Sequence, residues 1–183
     1  MTTSGWQGPV RLRASVPGKV PLDVAARLIG PEVTAWLGRV TADSPSGMRR
    51  FAADLRLRPD AGGVLAAFHK AAYVDLGSSR PVSDGLRVEI SWRSATLAPL
   101  FPVFSGWLTV GPSDLRLDGY YAPPGGAIGV VADRALLHLA ARGTARWLLG
   151  QLLRQAAVRD PSGSPRGSRH VGLNSSMSKK ENS

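Results

Sequence analysis

The chain contains no cysteine, which excludes disulfide bridges and thiolate metal sites. It contains only three histidines, His69, His138 and His170, and their spacing matches no metal-ligand pattern. We therefore expect neither a metal nor another cofactor. The lack of cysteine fits a reducing compartment, and residues 1–9 lack the basic and apolar regions of a secretory signal. The expected location is the cytoplasm.

Uninterrupted apolar runs are also scarce. The stretch 94–113 carries no charge and is long enough to cross a bilayer as a helix. It is broken by residues that fit strands and turns far better than a spanning helix, namely Pro99, Pro102, Gly106, Gly111 and Pro112. The sequence therefore predicts no membrane span.

Two kinds of catalytic or cofactor motif are missing as well. No Gly-Ser-Gly nucleophile elbow occurs in the chain. The glycine-rich stretch 125–129 lacks the lysine and hydroxyl residue of a P-loop, and no parallel-sheet pattern surrounds it. We interpret it as a turn at the mouth of a cavity.

Positive charge predominates, with a net charge of +10. The segment 159–183 holds five basic and two acidic residues, so it contributes +3. Basic residues elsewhere are spread along the chain, which indicates a solvated surface, and we expect no nucleic-acid partner. The excess of arginine over lysine, with abundant alanine, glycine, leucine and proline, is typical of high-GC coding, as in actinobacteria.

Hydrophobic periodicity divides the chain into a series of strands followed by one long helix. Alternation is clearest where Leu86, Val88, Ile90 and Trp92 are separated by polar residues. The predicted strands cover 10–16, 48–58, 64–76, 86–95, 101–110 and 115–121, and the predicted helices cover 22–29, 32–37 and 128–158. The polar stretch 77–85 predicts a loop.

The long terminal helix has an apolar stripe that we expect to face the sheet. Its members recur at helical spacing and are Leu136, Ala140, Gly143, Trp147 and Gly150. Its two glycines favour a close approach to the sheet or a bend. His138 stands between two leucines, and we expect it to be exposed or capped.

These elements predict an α+β fold in which an antiparallel sheet of about six or seven strands wraps around the long C-terminal helix. Two short helices follow the first strand. The predicted organisation is a disordered N-terminus (1–9), one folded domain (10–158) and a disordered basic tail (159–183).

The local sequence of three segments resembles that of the START-like, or SRPBCC, helix-grip superfamily. These segments are the strand start Leu100-Phe101-Pro102-Val103-Phe104, residues 115–125 and residues 129–134. The likeness covers about residues 10–157 and implies a cavity for a small apolar ligand between sheet and helix. Polyketide cyclases and lipid-transfer proteins belong to this superfamily, which shares no universal catalytic motif.

Strand parity and this resemblance together give a set of candidate ligand-binding residues. The predicted cavity wall consists of Phe51, Leu55, Ile90, Trp92, Phe104, Leu108 and Tyr121. An alternative is that the same side chains fill the core and leave no cavity. The Tyr121 hydroxyl is the expected polar contact for a ligand, because a buried phenol needs a hydrogen-bond partner.

Three functions remain open at this stage. The first is binding of a small apolar ligand, either lipid-like or polycyclic. The second is a cyclase or aromatase that uses the same cavity. By parity, His69, Tyr73 and Asp75 share one face of their strand, and residues of these types are candidates for acid–base catalysis. The third is a basic adaptor whose helix or tail binds a partner, a membrane or nucleic acid. No catalytic set is visible, and the sequence does not indicate an oligomeric state.

Overall fold

A computed structural model describes residues 9–57, 68–95, 103–122 and 130–159. Seven strands and two α-helices lie within these ranges. Their bounds are β1 Val10–Pro17, α1 Leu22–Ile29, β2 Arg39–Val40, β3 Arg49–Leu57, β4 Phe68–Val82, β5 Gly85–Ser94, β6 Val103–Val110, β7 Asp114–Ala122 and α2 Val130–Arg159.

The strands form one antiparallel sheet in the order β1-β7-β6-β5-β4-β3-β2. Its buried side chains alternate with exposed ones, as in β7, where Leu115, Leu117 and Tyr121 are buried while Arg116 and Tyr120 are exposed. Helix α2 packs on the buried face, here called the inner face, where it contacts β1, β3, β7 and α1. The predicted α+β helix-grip architecture is therefore confirmed.

The segment after β1 is bound to the sheet through backbone carbonyls. The Arg49 guanidinium donates to the carbonyl oxygens of Ile29 (2.6 Å) and Gly30 (2.8 Å) at the C-terminal end of α1. A cation at this end of a helix also interacts favourably with the helix dipole. The second predicted helix, 32–37, is a single 3₁₀ turn at Val33–Ala35.

The predicted loop 77–85 is wrong, because most of it extends β4. This strand continues to Val82, and the hairpin turn to β5 is short. Gly77 and Ser78 form a β-bulge between the pairs Leu76–Ile90 and Ser79–Val88. The polar and glycine-rich composition of this segment resembles a loop, yet pairing with β5 satisfies its backbone.

The predicted apolar stripe of α2 is wrong in part, because Gly143 is buried but Trp147 and Gly150 are only partly buried. The buried positions are Ala141, Gly143, Thr144, Ala145, Leu148, Leu149, Leu152 and Ala156. Trp147 packs only partly against the core, and Gly150 makes no close approach to the sheet. The helix carries small and apolar residues on several sides, so its sequence alone does not select the side that faces the sheet. The side chains of Leu136 and Ala140 lie outside the described residues.

Candidate functional site

A row of large side chains crosses the inner face in direct register. Phe51, Val74, Trp92, Phe104 and Tyr121 lie on the adjacent strands β3, β4, β5, β6 and β7. All five are buried. The rings of Trp92 and Phe104 are stacked, with their centroids 4.1 Å apart and their planes inclined by 18°. Together these residues form an apolar surface under α2, here called the aromatic row.

Two glycines provide the space in which the ring of Phe104 lies. Gly106 and Gly119 face each other on β6 and β7. A Cβ atom at either position would lie 2.8 or 2.7 Å from the Phe104 Cζ atom. Real Cβ atoms do not approach other atoms so closely. The glycines therefore allow Phe104 to lie close to the backbone of the sheet.

All seven residues of the predicted cavity wall lie on the inner face and are buried, as parity requires. They are Phe51, Leu55, Ile90, Trp92, Phe104, Leu108 and Tyr121. Trp92 and Tyr121 stand on either side of Phe104, one strand apart from it. Their burial places them in the core.

The polar group of this face is formed by Tyr121 and His138. The Tyr121 hydroxyl lies 3.4 Å from His138 Nδ1, within hydrogen-bond distance, and the two ring centroids are 5.9 Å apart. Tyr121 is 2% exposed and His138 is partly buried. The expectation that His138 is exposed is therefore wrong, and its ring has the Tyr121 hydroxyl as a partner. Its separation from Ala141 and Ala145, three and seven residues, is the sequence signal that places it near the buried side of α2.

The sequence-predicted acid–base group lies on the other side of the sheet. Tyr73 and Asp75 occupy the face opposite α2, here called the outer face, while the side chain of His69 lies outside the described residues. Asp75 accepts two hydrogen bonds from Arg50, at 2.7 and 3.1 Å. The guanidinium carbon of Arg50 lies over the Tyr73 ring, 5.5 Å from its centroid. These contacts are those of a structural ion pair.

Two surface depressions, of about 470 and 460 Å³, are formed by described residues. Neither is lined by any of the seven predicted wall residues. The predicted rim, 123–126, lies outside the described residues. Within the described ranges no three His, Asp or Glu side chains are placed to hold a metal. In the same ranges no helix is both long and apolar enough to cross a membrane.

The fold is similar to that of the Zhui aromatase/cyclase from Streptomyces sp. R1128, with a TM-score of 0.50 and 13% identity over 83% of this chain and 96% of that one. DynU16, a protein of the dynemicin biosynthetic locus, matches with a TM-score of 0.41 and 19% identity. That match covers 82% of this chain and 48% of DynU16. No family model and no curated protein matches the sequence. At 13% identity the likeness to the aromatase/cyclase concerns the fold alone.

Proposed function

We propose that the protein binds a small, largely apolar molecule between the aromatic row and α2. The observation that carries this proposal is the Tyr121–His138 pair, a phenol and an imidazole placed together at one end of a buried aromatic surface. Binding sites for small molecules combine apolar walls with a few convergent polar groups, and this pair supplies such groups.

The chemistry of the row favours a polycyclic or lipid-like ligand. Aromatic side chains provide apolar area and stack with planar rings. The Tyr121 hydroxyl and the His138 ring can each donate or accept a hydrogen bond, so they suit a carbonyl or hydroxyl group on the ligand. The likeness in fold to an aromatase/cyclase supports the polycyclic class.

Fluorescence of an uncharged apolar dye, Nile red, tests the proposal. We expect the dye to bind the folded protein and to quench tryptophan emission. Trp92→Phe should remove much of the quenching, because Trp92 belongs to the aromatic row. The matched control is Trp107→Phe, because Trp107 lies on the outer face and is 37% exposed. Absence of binding to a folded sample, or equal losses in both variants, would contradict the proposal.

A second candidate function is proton transfer on the bound molecule. Its specific support is the same 3.4 Å approach of the Tyr121 hydroxyl to His138, which gives a donor–acceptor pair in an apolar setting. A residue pair of this kind removes a proton from the carbon next to a ligand carbonyl and so forms an enolate. In a cyclase that carbon then attacks a second carbonyl, whereas in a ligand without one it takes up a proton again, and the removal is detected as exchange. Accelerated exchange separates an enzyme from a binding protein.

Deuterium exchange separates the two candidates. A cyclic ketone that binds the protein would be incubated in D₂O, and its α-protons would be followed by NMR. An enzyme should accelerate the exchange, and His138→Gln should abolish the acceleration while dye binding persists. Exchange at the uncatalysed rate in the native protein would leave ligand binding as the function.

A further inference from the structure

A second group of residues lies at the edge of the sheet, where outer-face side chains next to strand β1 meet arginines of α2. The 470 Å³ depression is lined by five arginines, Arg13, Arg87, Arg116, Arg142 and Arg146, and its one described carboxylate is Asp118. These arginines are far apart in sequence, and β1, β5, β7 and α2 each contribute at least one. The resulting excess of positive charge favours an anion.

Most of these arginines contact neighbouring carboxylates or hydroxyls, but Arg142 differs. Arg116 binds Asp84 at 2.7 Å and Asp114 at 3.2 Å, and Arg13 binds Asp118 at 2.9 Å. The Nε atom of Arg142 is buried and has no hydrogen-bond partner among the described residues. A buried donor without an acceptor is costly, and an anion in the depression would supply that acceptor.

The second depression continues from the first and is aromatic. It shares Arg87, Thr109 and Asp118 with the first, and it is also lined by Trp107 and Tyr120. These two rings are 37% and 52% exposed. The Arg80 guanidinium lies 4.7 Å from the centroid of the Trp107 ring, which favours one orientation of the indole. The β4 bulge brings Arg80 to this face, opposite Arg87.

Register sets the distance between the aromatic and cationic parts. Trp107 on β6 pairs with Asp118 on β7, which pairs with Arg13 on β1. Two strand spacings therefore separate Trp107 from Arg13, about 10 Å at the backbone. A nucleoside diphosphate has that reach, with a planar base at one end and phosphates at the other.

We infer that the two adjoining depressions bind a nucleotide. Its phosphates lie in the arginine-lined depression and accept hydrogen bonds from Arg142 and Arg146, and its base lies against Trp107 and Tyr120. Guanidinium groups match phosphate oxygens in geometry, and aromatic faces stack with any base. Neither depression is lined by a residue of the aromatic row or by His138, so this inference does not depend on the function proposed above.

Calorimetric titration with ADP, pyrophosphate and adenosine tests the inference on the full chain. We expect ADP to bind more tightly than either part alone. The double variant Arg142→Gln, Arg146→Gln should weaken ADP and pyrophosphate by about tenfold. Trp107→Ala should weaken ADP and adenosine while pyrophosphate binding persists. The control is Arg154→Gln, an exposed arginine of α2 that lines neither depression.

Thermal unfolding of each variant establishes that it is folded, and Arg146→Gln alone provides an exposed substitution if the double variant unfolds. Lack of ADP binding, or an equal loss in Arg154→Gln, would overturn the inference. Pyrophosphate binding as tight as ADP binding would overturn the placement of the base against Trp107 and Tyr120. A short single-stranded RNA that binds far more tightly than ADP would overturn the assignment to a free nucleotide.

Discussion

Burial and two neighbouring arginines have opposite effects on the pKa of Asp118, a residue of the outer face. It accepts hydrogen bonds from both Arg11 and Arg13, at 3.2 and 2.9 Å. Burial alone would raise the pKa of its carboxyl group, but the hydrogen bonds and charges of these arginines outweigh burial and hold that pKa below its usual value. The carboxylate thus keeps its charge at the edge of the arginine-lined depression.

The lowered pKa predicts how this contact responds to acid. Because the folded-state pKa lies below the unfolded one, the contribution to stability is present above the usual aspartate range and is lost as pH falls through the folded value. NMR titration of the Asp118 carboxyl carbon should give a midpoint below that of an aspartate in a peptide. Arg13→Gln should raise the midpoint. A native midpoint at or above the peptide value would disprove the assignment.

At the scale of elements, glycines have opposite roles in α2 and in the sheet. Gly150 lies inside α2, where a Cβ atom would meet only the Arg154 side chain, at 3.4 Å. Gly106 lies in β6, where a Cβ atom would overlap the Asp118 carbonyl oxygen and the Phe104 ring. The first glycine therefore lowers helix stability without a packing benefit, while the second is required by packing.

A pair of identical substitutions tests this difference. Gly150→Ala should stabilise the protein by about 0.5 to 1 kcal/mol, because alanine restricts the unfolded chain and favours the helix. Gly106→Ala should destabilise it by about 2 kcal/mol or more, since Phe104 and the backbone must move. Denaturant unfolding measures both changes in the free energy of unfolding. Destabilisation by Gly150→Ala would mean that α2 approaches another element there.

At the scale of the whole molecule, the end of α2 binds the segment that follows α1. Arg159, the last residue of α2, forms an ion pair with Glu32 and donates to Gln155 at 2.9 Å. About one and two turns earlier, Ala156 and Leu152 are buried in the core. The contacts of the folded unit thus extend to Arg159, one residue beyond the limit predicted from sequence.

Truncation tests this boundary. A chain that ends at Arg159 should keep the thermal unfolding midpoint of the full chain, because the removed segment 160–183 is predicted to be a disordered tail. A chain that ends at Gln151 should fail to fold stably, since it lacks Leu152, Ala156 and the Arg159–Glu32 ion pair. Circular dichroism melts measure both. A markedly lower midpoint for the longer truncated chain would show that the tail contributes to the fold.

The sequence by itself determined which strand residues face the core. Alternation with a period of two is a local property, so Trp92, Phe104 and Tyr121 were correctly placed on the inner face before any strand was paired. The order of strands and one long helix likewise predicted the helix-grip fold. The physical reason is that neither the parity of a strand nor the length of a helix depends on distant contacts.

Only the tertiary structure decided which residues meet across the sheet. The orientation of α2 required knowledge of its neighbours, because several of its sides are apolar, and the Tyr121–His138 contact follows from that orientation. The β4 bulge places Arg80 on the outer face of the sheet, where Trp107 also lies. The arginines of the outer depression are scattered in sequence and converge through the register of β1, β7, β6 and β5 and the packing of α2. Such convergence depends on pairings between distant segments, which no local pattern records.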